Sequence, residues 1–215
     1  MAFQPFNPDA DVRTFRNHLP HWRQSGVTYF VTTRLADSIP HETLLQWKEE
    51  RDLWLQVYDC AAGDLERLPE SVRREYHRRF TKKFHEYLDA GSGQCGLRTS
   101  EAASIVAGAL RHFDGDRYTL GDFVVMPNHL HVLVTPIAPY ELSSILHSWK
   151  RFSAQQVNKL LHQTGPSWQD ERFNHIVRSE EQLDRFQQYI KDNPRKAHLR
   201  DGEYLLSSPS SATPT

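Results

Sequence analysis

His129-Leu130-His131 sits inside the run Met126-Pro127-Asn128-His129-Leu130-His131-Val132-Leu133-Val134-Thr135. In a strand, side chains alternate with period two, so both histidines face one way and Leu130, Val132 and Val134 the other. Two imidazoles aimed at one spot can hold a divalent metal on an open sheet face, while the apolar side fastens the strand to a hydrophobic layer. A His-x-His pair alone is more often a pair of ordinary half-buried polar residues with satisfied hydrogen bonds. Metal chemistry therefore needs further donors.

A second set lies about sixty residues on. Ser179 followed by Gln182 is a capping-box pattern, and Leu183, Phe186 and Ile190 mark the apolar face of a helix starting at Ser179. Pro194 is expected to stop it, because the residue before proline is pushed out of the α region. Tyr189 and Asn193 are four residues apart and share one edge of that helix. If this edge packs over the face bearing His129 and His131, Asn193 can supply a third metal ligand and Tyr189 a nucleophile. If it does not, Tyr189 is a half-buried aromatic and Asn193 an ordinary residue before proline.

Several elements must position these groups. Gly26 to Leu35 is β-branched and aromatic and reads as a first strand. Helical spacing follows at residues 41–59, with Leu44, Trp47, Leu55 and Tyr58, at 69–89, and at 100–112. Gly91-Ser92-Gly93-Gln94 separates the last two as a loop. Tyr118 to Met126 and His129 to Thr135 form a hairpin around Pro127-Asn128. Tyr140 to Leu161 is amphipathic, with Leu142, Ile145, Leu146, Trp149, Phe152, Val157 and Leu160 on or near one stripe. Trp168 to Arg178 returns to strand composition. The tail, residues 201–215, ends in Ser, Pro and Thr and is expected to be disordered. There is no internal repeat.

Composition narrows the function classes. A chain of 215 residues can bury a substantial core, and no run of eighteen apolar residues or basic-then-apolar leader occurs, which argues against membrane insertion or export. Two cysteines, Cys60 and Cys95, are too few for a disulfide framework or a cysteine zinc module, and the expected setting is a reducing cytoplasm. A net charge of −1 gives little long-range pull on a polyanion, so any nucleic-acid contact depends on local patches. One patch is Arg67, Arg73, Arg74, Arg78, Arg79, Lys82 and Lys83, against only Glu70 and Glu75. On charge alone it is at least as readily a solvated helix face as a phosphate-binding one.

Taken together, the Thr-rich first strand, Met126-Pro127-Asn128-His129-Leu130-His131, Trp149-Lys150, Trp168-Gln169 and Tyr189-Ile190-Lys191-Asp192-Asn193-Pro194-Arg195-Lys196-Ala197 resemble the single-tyrosine HUH transposases. The nearest likeness is to the REP-associated tyrosine transposase group, from about Tyr29 to about Leu199. Thr33 to Ser38 and Phe113 to Tyr118 resemble a longer-insert branch. The resemblance implies an α+β fold: a ferredoxin-like antiparallel sheet with helices on one face, a catalytic C-terminal helix and a helical insertion after the first strand. The corresponding domain is residues 26–200, with the insertion at about 41–112, after an N-terminal extension of residues 1–25.

The resemblance further implies that His129 and His131 are metal ligands, Asn193 the third ligand and Tyr189 the nucleophile, with Mg2+ or Mn2+ as cofactor. The implied substrate is single-stranded DNA beside a hairpin, cleaved and rejoined through a 5'-phosphotyrosine, by a monomer or homodimer and without a membrane. Lys150 and Arg151 are expected at DNA phosphates, with Trp149 serving packing. Arg34, Arg172 and Arg178 are further DNA-side candidates that read equally well as surface ion-pair residues. Asn174 stands where the pattern leads to aspartate, so an acidic role there is not carried over. Two other readings stay open: a phosphodiesterase using activated water, and a hairpin-binding protein that does not cleave.

Overall fold

A computed structural model of the chain describes residues 3–5, 13–16, 20–24, 26–61, 65–169 and 173–208. A two-stranded ribbon, β1 (Arg13–Arg16) with β2 (Pro20–Arg23), precedes the main sheet. That sheet has five antiparallel strands in the order β6-β3-β5-β4-β7, with β3 at Tyr29–Arg34, β4 at Tyr118–Val125, β5 at His129–Pro136, β6 at Phe173–Ile176 and β7 at Leu205–Ser207. The architecture is α+β, as expected from the sequence.

The period-two reading of β5 holds in three dimensions. Val31 pairs with Val132 and Thr33 with Leu130, and these enter one core with Leu120, Phe123 and Val125. Over that face lie α4 (Ser100–Arg111) and α5 (Leu142–Leu160), which contribute Ala103, Val106, Leu110, Leu146 and Trp149. The opposite face carries Phe30, Val124, Met126 and Leu133. It is covered by α6 (Glu180–Lys196) through Leu183, Phe186, Tyr189 and Ile190. Thr32 pairs with His131 and Arg34 with His129, so these four side chains belong to the α6 face.

Between β3 and β4 lies the helical segment. It comprises α1 (His41–Gln56), α2 (Glu70–Tyr76), a π-helical turn (His77–Thr81) and α3 (Lys82–Asp89), then α4. The basic stretch expected as one helix is thus continuous but widened by one π turn, a feature that often accompanies functional sites. Trp54, Leu55, Leu68 and Tyr76 form a small separate core, with Val72 and Phe80 packed against it. On the basic flank, Arg79 and Lys83 pair with Glu50 at 3.1 and 3.2 Å, and Arg74 with Glu70 at 3.5 Å.

Two expectations are corrected. Ser179 caps α6 as predicted, its side chain accepting from the Gln182 N–H, but the helix does not stop at Pro194 and runs on to Lys196. The ring removes one N–H near the end of the helix, where a single missing bond is tolerated, and the Ala197 N–H still bonds to the Asn193 carbonyl at 3.0 Å. The tail expected to be disordered from residue 201 instead forms β7, pairing Leu205, Leu206 and Ser207 with Val125, Val124 and Phe123. The free edge of β4 offers backbone hydrogen bonds that outweigh the tail's weak local preferences. Residues 209–215 lie outside the described residues.

Candidate metal and tyrosine site

β5 brings the two imidazoles together: His129 Nε2 and His131 Nε2 are 3.1 Å apart, and both residues are fully buried. Each ring is steered from its other nitrogen. Asn128 donates its amide N–H to the Ser92 carbonyl at 2.9 Å, which turns its oxygen toward His129 Nδ1 at 2.7 Å. An amide oxygen only accepts, so His129 carries its proton on Nδ1 and leaves the Nε2 lone pair free. His131 Nδ1 lies 2.8 Å from the Thr32 hydroxyl, which can donate or accept. Burial pushes the His131 imidazole well below its usual pKa, and His129 and His85 act in the same direction. The two Nε2 atoms thus face each other at the spacing of neighbouring donors.

α6 supplies the predicted partners. The Tyr189 ring stands edge-on to His131 with centroids 5.0 Å apart, and Asn193 is fully buried one turn further along. The Asn193 amide N–H donates to Asp89 Oδ1 at 3.1 Å. The reverse orientation would set its oxygen against the carboxylate, so the amide orientation is determined. Its Oδ1 and the Tyr189 hydroxyl are buried with no hydrogen-bond partner among the described residues. Buried polar atoms are rarely left so, and two of them beside facing imidazoles fit a missing electrophile. Burial raises the Tyr189 phenol pKa strongly, Asp89 adds to the rise, and the Asn193 amide close by works in the opposite direction. A cation next to the phenol would stabilise the phenolate and so oppose the effect of burial.

Sequence reasoning missed two residues of α3. Asp89 Oδ1 is 3.5 Å from His129 Nε2, and the ligand atoms of Asp89, His129 and His131 all lie within 4.8 Å of one another, a group that could hold a metal ion. The His85 ring centroid lies 5.7 Å from that of His131 and 5.8 Å from that of Tyr189. His85 is pushed down to about 4, chiefly by burial, with Asp89 opposing and His129 adding. No local pattern distinguishes these residues from the charged and aromatic neighbours on the same helix. The only available signal was the segment Gly91 to Gln94, whose glycines show that the chain turns sharply just after Asp89. At Gly93, φ is +90° and an added Cβ would sit 2.7 Å from the Asp37 carbonyl oxygen, while the Gln94 N–H donates to the Asp37 carboxylate at 2.7 Å.

The expected DNA-side residues divide. Arg34 is on the histidine face and is buried: its guanidinium donates to the Ser38 hydroxyl at 3.3 Å and lies 5.8 Å from the Phe84 ring centre. Lys150 and Arg151 are on α5, across the sheet from the histidines, and Lys150 donates to the Gln169 carbonyl at 2.6 Å. Trp149 packs, as expected, with its indole N–H donating to the Tyr118 hydroxyl at 2.8 Å. Arg178 is exposed just before α6. Arg172 lies outside the described residues.

The donor set fits a divalent ion. Nitrogen and oxygen donors on one ion of this size, with bonds of about 2.0–2.2 Å, stand roughly 3 Å apart at adjacent corners. The separation of the two Nε2 atoms, 3.1 Å, matches that spacing. Among the described residues, no helix is long and apolar enough to cross a membrane.

The chain finds no match among curated proteins. It is similar to a solved structure of a REP-associated tyrosine transposase bound to a REP hairpin, at 16% identity over 85% of this chain and 72% of that one, with a TM-score of 0.42. A family model described as transposase, IS200-like, matches residues 100–193, which include His129, His131, Tyr189 and Asn193 but not Asp89. The similarity to the IS200-like transposases thus lies in residues 100–193, the segment that carries the histidine pair and the tyrosine.

Proposed function

We propose that the protein is a metal-dependent single-strand DNA nickase and strand transferase, acting beside hairpins through a 5'-phosphotyrosine on Tyr189. The observation that carries this reading is the meeting of α6 with β5: a buried tyrosine hydroxyl and amide oxygen, without hydrogen-bond partners among the described residues, beside two facing imidazoles. On this reading, residues 26–200 form the catalytic domain. His129, His131 and Asn193 hold Mg2+ or Mn2+, which when bound would polarise the scissile phosphate and favour in-line attack.

The chain's own groups then have defined tasks. Asn128 and Thr32 hold the imidazoles in orientation, and Phe30 and Phe186, stacked at 4.2 Å, set the height of α6 above the sheet. The Tyr189 oxygen attacks phosphorus, the bond to the 3' oxygen breaks, and that oxygen leaves as a 3'-hydroxyl after taking a proton. The phosphotyrosine keeps the energy of the broken bond, so attack by another 3'-hydroxyl rejoins DNA and restores the phenol. Arg34 is on the same face but buried, so it would contact a phosphate only if its side chain left Ser38, whereas Lys150 and Arg151 would need a strand that wraps the sheet edge.

Incubation with hairpin-bearing single-stranded DNA and Mn2+ should give a band that stays shifted on a denaturing gel and disappears in Tyr189→Phe. Cutting by Tyr189→Phe would replace this reading with activated-water hydrolysis. Hairpin binding without cutting in any metal would replace it with a binding protein.

A further inference from the structure

We infer that Asp89 is a ligand of the same metal as the histidine pair, so that the helical insertion, not only the sheet and α6, completes the metal centre. This rests on the metal reading given above and goes beyond it, because Asp89 stands outside the segment that matches the IS200-like family, residues 100–193. Three observations carry it. The Asp89 carboxylate lies 3.5 Å from His129 Nε2, within the 4.8 Å span that encloses all three donor atoms. Its side chain is only 16% exposed, and among the described residues no lysine or arginine forms an ion pair with it. Its one hydrogen bond from a side chain comes from the neutral amide of Asn193.

A mostly buried carboxylate facing two imidazoles and an amide is costly unless a positive charge joins them. The remaining donors are neutral, and hard divalent ions favour anionic oxygen, so Asp89 supplies the charge that two imidazoles and an amide cannot. The position is also built. α3 ends at Asp89, and the following loop is tied down by the Gln94 bond to Asp37 and by Asn128 donating to the Ser92 carbonyl. The residue that orients His129 thus also anchors the loop that presents Asp89. Metal binding accordingly clamps α3 to β5 and α6, and its removal releases α3.

The test is Mn2+ binding by isothermal titration calorimetry on the full chain, with no DNA present. Asp89→Asn keeps an oxygen to accept from Asn193 and removes the charge; it should bind Mn2+ at least about tenfold more weakly, as should His131→Ala. Hydrogen exchange gives a second readout: Mn2+ should slow exchange of the Lys82–Asp89 amides in the wild type, and this protection should be missing in Asp89→Asn. An Asp89→Asn affinity within twofold of wild type, while His131→Ala loses binding, overturns the role of Asp89 and leaves the histidine site standing. Mn2+ binding with no added protection in α3 overturns it equally. A wild type that binds no Mn2+ overturns the metal reading as a whole.

Discussion

Acidification should destabilise the metal-free fold through His85, and the size of the effect can be worked out. His85 is held at about 4 against an ordinary value of 6.5, mainly because burial penalises its charged form. The folded chain thus refuses a proton that the unfolded chain accepts, so the stabilisation is complete above the ordinary value of 6.5 and is lost as pH falls toward about 4. At about 1.4 kcal/mol per pH unit, this interval costs roughly 3 kcal/mol. His131 is shifted in the same direction and adds to the loss. Urea unfolding followed by circular dichroism, in EDTA and at steps from pH 7 to pH 4, measures the total. His85→Phe keeps a flat ring against His131 and Tyr189 and removes the titrating group. Its stability should fall less over this range, by about the same 3 kcal/mol. Other carboxylates titrate in both proteins, so the difference between them isolates His85. A variant whose stability falls as steeply as that of the wild type, or a wild type that gains stability on acidification, would refute the reasoning.

Two further outcomes follow from the packing around the site. Asn128→Ala removes the acceptor that sets the His129 tautomer and the donor that holds the Ser92 carbonyl, so Mn2+ affinity measured by calorimetry should drop about 10- to 100-fold. Leu130→Ala empties a buried position between the two histidines on the opposite face, and urea unfolding should show a loss of roughly 2–5 kcal/mol.

The legible part of the site was local. Period two in His129-Leu130-His131 sends the histidines to one face and Leu130 to the other, and the observed pairing of Thr33 with Leu130 and Thr32 with His131 is consistent with that alternation. The four-residue step from Tyr189 to Asn193 puts both on one edge of α6, and the Ser179 cap marks where that helix begins. These relations are set by backbone geometry that every strand and helix shares, so they can be counted along a chain.

What the tertiary structure alone decided depends on distant segments meeting. Asn193 and Asp89 are 104 residues apart yet share a hydrogen bond, and no periodicity encodes that distance. Lys150 and Arg151 lie across the sheet from the histidines because the apolar stripe of α5 is buried against the Leu130 face. β7 exists because β4 offered an open edge, not because Leu205-Leu206-Ser207 demands a strand. The sequence by itself determined the facing of the histidines, the tyrosine and the asparagine, because backbone periods operate within one element. Only packing decided that an insertion helix would add a carboxylate to them, because which elements meet depends on the sum of buried surfaces rather than on any one stretch of residues.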